Sequence, residues 1–98
     1  MASYITTLKF TEQGVRAIGE TTKRAAEFKA AAEKIGIKVK DIYWTMGAFD
    51  GLVVFDAPDD ETATALMLHV SSGGNAQTHT VRAFTAAEMD RALAKLSP

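Results

Sequence analysis

The chain predicts an α+β domain, and three observations carry that prediction. Apolar and polar residues alternate in four short runs separated by turn signals. Two longer runs between them repeat apolar residues at three- and four-residue spacing. Their order is strand, helix, strand, strand, helix, strand, with a final helix after the last strand. The second and third strands lie too close in sequence for a parallel crossover, so they pair antiparallel. With 98 residues the chain suits one domain, residues 1–98. A chain this short buries only about 60–65% of its unfolded surface, and a partner subunit is the usual remedy for so thin a margin.

Each element has its own justification. Ser3 to Phe10, rich in Tyr, Ile, Thr and Phe, reads as a strand with Tyr4, Leu8 and Phe10 on one side and Ile5 and Thr7 on the other. "TEQGVRAIGE" reads as a connection holding at most one short helical turn. From Thr21 or Thr22 to Ile35 the chain is a helix whose inner face is Ala25, Phe28, Ala32 and Ile35, ended by Gly36. Lys23 and Arg24 sit at its positive end, against the dipole; they either form a solvated face or attract an anion. Ile37 to Met46 alternates, with Ile37, Val39 and Tyr43 on one side and Ile42, Trp44 and Met46 on the other. Gly51 to Ala57 follows, with Val53 and Phe55 opposite Leu52 and Val54.

Asp59 then N-caps a second helix, with Asp60 and Glu61 at its positive end and Ala63, Leu66, Met67 and Val70 as its apolar stripe. "SSGGN" stops it. "AQTHTVRAF" is the fourth strand. "TAAE" is a capping box in which Thr85 and Glu88 satisfy each other's backbone, and the closing helix is expected to bury Met89, Ala92, Leu93 and Leu96. This order is the split βαβ pattern of ferredoxin-like domains, a four-stranded antiparallel sheet with helices on one face. One helical layer covers one face, yet the strands carry large apolar groups on both. The uncovered face calls for another subunit's sheet, a ligand, or both.

Composition excludes several functions. Eleven basic and twelve acidic side chains give a net charge of -1, which argues against a nucleic-acid partner and against attraction to anionic membranes. The absence of cysteine removes disulfides, thiolate nucleophiles and cysteine-ligated metals, and fits a cytoplasmic location. "MASYITTLKF" is not expected to be a signal peptide, and no apolar run reaches membrane-spanning length. "SSGGN" follows a helix rather than a strand and is no nucleotide fingerprint.

The run "YWTMGAFDGLVVFDAPDDETA", with "LKFTEQGVRAI" and "GGNAQTHTVRAFTAAE" on either side, resembles the GYD domain family, small bacterial proteins of unknown function. The resemblance covers nearly the whole chain. The family's Gly-x-Tyr-Asp signature falls on Gly47, Ala48, Phe49 and Asp50, with Phe49 in place of the tyrosine. Any role for that phenol is therefore missing here. The family in turn resembles the dimeric α/β-barrel superfamily, in which two ferredoxin-like sheets pack face to face. That group includes cofactor-free oxygenases, haem-degrading enzymes and stress-response proteins. The resemblance implies fold and pairing, and names no reaction.

The residues able to do chemistry are few. Asp50 is either a loop-stabilising carboxylate or a base at a pocket mouth. His79, between Thr78 and Thr80, either bonds within the sheet or points into a cavity. With Tyr43 they form the one set suited to acid–base work, the catalytic candidates. Trp44, Phe49 and Arg82 are the ligand-binding candidates, the rings as stacking surfaces and Arg82 as a carboxylate clamp or an ion-pair partner. His69 reads as a helix-flank histidine. Two histidines ten apart are not a metal signature, and although one could bind a haem axially, nothing nearby asks for one, so no cofactor is expected. Three functions fit. The chain is a homo-oligomeric module, dimeric through its sheet, that holds a small apolar or aromatic molecule between sheets. Alternatively it is a cofactor-free oxygenase or isomerase, or a structural or regulatory interaction protein.

Overall fold

The computed structural model describes residues 1–96. Strands β1 (Ala2–Phe10), β2 (Lys38–Trp44), β3 (Gly51–Ala57) and β4 (Ala76–Ala83) form one antiparallel sheet in the order β2-β3-β1-β4. Between β1 and β2 run α1 (Glu12–Arg16), a 3-10 turn (Ile18–Glu20) and α2 (Thr21–Lys34); α3 (Asp60–Ser72) joins β3 to β4, and α4 (Ala86–Ala94) follows β4. This is the ferredoxin-like α+β arrangement. The link before α2 holds two short helical pieces rather than one turn. Thr11 caps the first through its hydroxyl and also bonds the carbonyl oxygen of Gly74 at 2.6 Å, tying α1 to the start of β4.

The core lies between one face of the sheet and helices α2 and α3. Tyr4, Val53, Phe55 and Ala57 from the strands meet Ala32 of α2 and Ala63, Leu66 and Met67 of α3. The Tyr4 and Phe55 rings stack with centroids 5.3 Å apart. Thr6 is buried among them without penalty, because its hydroxyl lies 2.7 Å from that of Thr80 and 3.5 Å from the Met67 sulfur. Asp59 accepts from the Thr62 amide at 2.7 Å and starts α3, and the Thr85–Glu88 capping box starts α4. Gly36 takes φ +81° just beyond α2, the left-handed turn that ends it.

Three expectations need correction. The alternation in β2 breaks at Lys40, where the register passes from Val39 opposite Phe55 to Asp41 opposite Val54. The bulge moves Ile37 and Val39 to the same face as Ile42 and Trp44, and leaves Tyr43 on the other. Ile35 is exposed, because α2 ends at Lys34 and the chain turns away. Met89, Leu93 and Leu96 are exposed rather than buried, and α4 buries no residue. The helix-facing side of the sheet is already occupied by α2 and α3, so α4 projects beyond it. It is fastened by the Arg82–Glu88 ion pair at 3.2 Å. The overall extents, 55 × 31 × 18 Å, reflect that projection.

Candidate functional site

The cross-strand register sorts the candidate residues by face. Tyr43, Leu52, Thr7 and His79 form one row across the side of the sheet away from α2 and α3, and Asp41, Val54, Ile5 and Val81 form the next. Tyr43 and His79 thus share the open face. They stand at its two edges, three strand spacings or about 14 Å apart within one chain. The face is apolar in the middle and polar at the rim, and Tyr43 and Val81 are 57% and 58% exposed. At one end of it Asp56 accepts from the Ser3 hydroxyl at 2.8 Å and pairs with Lys40 at 3.2 Å. Burial works to raise the Asp56 carboxyl, but these two partners outweigh it and hold it below its usual value.

Asp50 is committed elsewhere. Its carboxylate accepts the Phe10 amide at 2.9 Å, its own amide donates to the Leu8 carbonyl at 2.7 Å, and its carbonyl accepts from the Thr45 amide at 2.9 Å. It therefore extends the β1–β3 ladder and pins the loop from Thr45 to Asp50. In that loop Phe49 accepts from the Thr45 hydroxyl through its backbone at 2.6 Å, and Gly47 takes φ +112°. Within one chain, Asp50, Tyr43 and His79 do not converge.

Arg82 faces the helix side. It lies over the rings of Phe84 and Tyr4, at 4.6 and 5.8 Å, and reaches the Ser3 and Ala83 carbonyls as well as Glu88. The Thr85 backbone amide, with the Arg82 guanidinium adding to it, holds Glu88 down at about 2. Asp60 accepts the Tyr4 hydroxyl proton, and this bond together with burial pushes the Tyr4 phenol up. These groups border a polar hollow between α3 and β4 whose charged members are already paired.

A cavity of about 330 Å³ lies on the helix side as well, between α2, α3 and the sheet. At one end of this layer Ala32, Leu66 and Phe55 fill the space. Toward the other, Ala25 of α2 and Gly51 of β3 have little side chain to offer, and the space stays open between Leu8, Phe28, Ile42 and Val70. Trp44 lines it, with its ring nitrogen donating to the Thr21 hydroxyl at 2.9 Å. Arg24 lines it too. Its Nη1 donates to the Ala17 carbonyl at 3.0 Å, whereas its buried Nη2 finds no acceptor among the described residues. The sequence marks Arg24 as a cation at the unfavourable end of a helix, either solvated or attracting an anion, and gives no sign of the cavity beside it. Ala25 and Phe28 read there as ordinary core. Among the described residues no group of three or more His, Asp or Glu side chains is placed to hold a metal ion, and no helix is long and apolar enough to cross a membrane.

Fold and surface together define a small ferredoxin-like α+β module with one covered and one open sheet face. The chain belongs to the GYD domain family, whose pattern it matches over residues 4–93. It is 28% identical over 90 residues to the glutamine synthetase and cystathionine beta-lyase binding protein of Thermus thermophilus, covering 91% of this chain and 95% of that one. Among solved structures it is similar to MtbAldR, with TM-score 0.61 and 12% identity over 86% of this chain, and spans 53% of that protein's length. It is also similar to TTHA0845 from Thermus thermophilus, with TM-score 0.57 and 19% identity over 88% of this chain and 96% of that one. At these identities the two structures show a shared fold.

Proposed function

We propose that this chain is a non-catalytic binding module that self-associates through the open face of its sheet. The observation that carries the reading is the apolar patch of that face, Ile5, Leu52 and Val54 on the inner strands with Val81 on the edge strand β4, which no helix among the described residues covers. Four strands at about 4.8 Å and seven residues at about 3.3 Å give a face of roughly 450 Å². A standard interface takes about 800 Å² per partner, so the sheet alone supplies about half. The exposed Met89 and Leu93 of α4, with Leu96 just past its end and Phe84 before its start, are suited to supply more by lying against the partner.

What the module binds is suggested by its relative, which is named for binding two enzymes, glutamine synthetase and cystathionine beta-lyase. That name supports a role as a protein-binding module. It favours the interaction reading over an oxygenase or isomerase. The committed carboxylate of Asp50 and the separation of Tyr43 from His79 weigh the same way. A catalytic reading would need the partner copy to bring its own His79 or Tyr43 across the interface.

The test is sedimentation velocity of the wild type and of Val54→Lys. The wild type is expected to sediment as a dimer or larger assembly at micromolar concentration, and Val54→Lys as a folded monomer. A wild type that is monomeric throughout that range contradicts the proposal.

A further inference from the structure

We propose that the cavity between α2, α3 and the sheet is a binding site for a small monocarboxylate with an apolar body, its anionic end held by Arg24. The site lies on the opposite side of the sheet from the self-association face and does not depend on it. Its volume of about 330 Å³ falls at the small end of ligand pockets, which suits a short alkyl chain or a single ring. Leu8, Phe28, Ile42, Trp44 and Val70 would enclose that body.

Arg24 is what selects the charge. A guanidinium is always protonated, and its donors need acceptors wherever water is kept out. Here Nη1 is spent on the Ala17 carbonyl, while Nη2 is buried with no acceptor among the described residues, so a ligand in the cavity that Arg24 lines meets it once the side chain turns inward. Such an unspent charged donor is costly, and a carboxylate oxygen is its natural complement. Side chains around the cavity narrow the choice further. Arg24 is the one lysine or arginine among the described lining residues; His69 of α3 also lines the cavity, and Glu27, exposed in solvent, opposes a second negative charge. A monoanion with an apolar tail therefore fits better than a phosphate or a dicarboxylate.

Trp44 is the chain's single tryptophan and lines the cavity, so its emission reports occupancy directly. The experiment titrates the full chain with octanoate, 1-octanol and octylamine while following that emission. Octanoate is expected to give a saturable change, 1-octanol a weaker one and octylamine none. Arg24→Met should weaken octanoate at least tenfold and leave 1-octanol unchanged. Ala25→Leu keeps every charge and fills the space, so it should abolish both responses even if Arg24→Met folds poorly. Val54→Lys should bind octanoate like the wild type, which separates this site from the self-association reading. No saturable response to octanoate, equal responses to all three probes, or full affinity in Ala25→Leu would overturn the proposal.

Discussion

The two faces of the sheet are built from the same strands and meet opposite fates. On the helix side Phe55 is fully buried and stacked on Tyr4; one residue earlier, Val54 faces out among Ile5, Val81 and Asp41 with none of the described helices above it. The difference teaches where the fold's stability is made and where its function is sought. Helix-side residues hold one chain together through contacts internal to it. Open-face residues are apolar without an internal use, which is the mark of a surface meant to be covered.

The sharpest way to separate the faces is to truncate neighbours. Phe55→Ala should cost about 3–5 kcal/mol in urea denaturation, from lost burial and the cavity left behind. Val54→Ala should cost far less at high dilution, with its deficit relative to wild type growing with protein concentration, as expected of an interface residue. Equal losses at every concentration would erase the distinction between the faces.

The next effect is at the rim where α1 meets β4. A Cβ on Gly14 would stand 2.1 Å from the Asn75 carbonyl oxygen, so Gly14→Ala must push α1 off the sheet and should cost about 1–3 kcal/mol. Thermal denaturation would show it, and an unchanged melting temperature would mean that α1 has little part in the fold.

Smaller still is the attachment of α4. Thr85→Ala removes its N-cap and should cost about 1 kcal/mol of helix stability, read by amide exchange in residues 86–94. The pH dependence points the same way. Glu88 has a folded value of about 2, below its ordinary 4.5, so its bonds to the Thr85 amide and Arg82 contribute fully above about pH 4.5 and are lost as pH falls toward 2. Protection factors in α4, taken against the intrinsic rate at each pH, should therefore fall over that acid window while the Phe55 core stays protected.

Much of this was legible in the sequence because it is local. Alternation placed β1 and β3, alanines and three-four spacing placed α2, and Asp59 and the Thr85–Glu88 box placed the two later helix starts. The bulge at Lys40 was not legible, since the run from Ile37 to Met46 also reads as an unbroken strand and only pairing with β3 reveals the extra residue. The exposure of α4 was hidden for a related reason. An apolar stripe predicts burial but does not say in which chain. Among site residues, Asp50 was placed in its loop by the Asp-Gly turn, and Trp44 and Tyr43 were assigned to opposite faces by phase. The cavity beside Arg24 depends on how two helices and a sheet meet, and no short motif encodes that.

The central claim is that a second copy covers the open face, and a single introduced thiol tests it most directly. The chain has no cysteine, so Val54→Cys and Ala65→Cys, on the outer side of α3, each report one position. The account predicts slow maleimide labelling of Val54→Cys at micromolar concentration, accelerating on dilution, with Ala65→Cys fast throughout. Labelling of Val54→Cys as fast as Ala65→Cys at every concentration would contradict it.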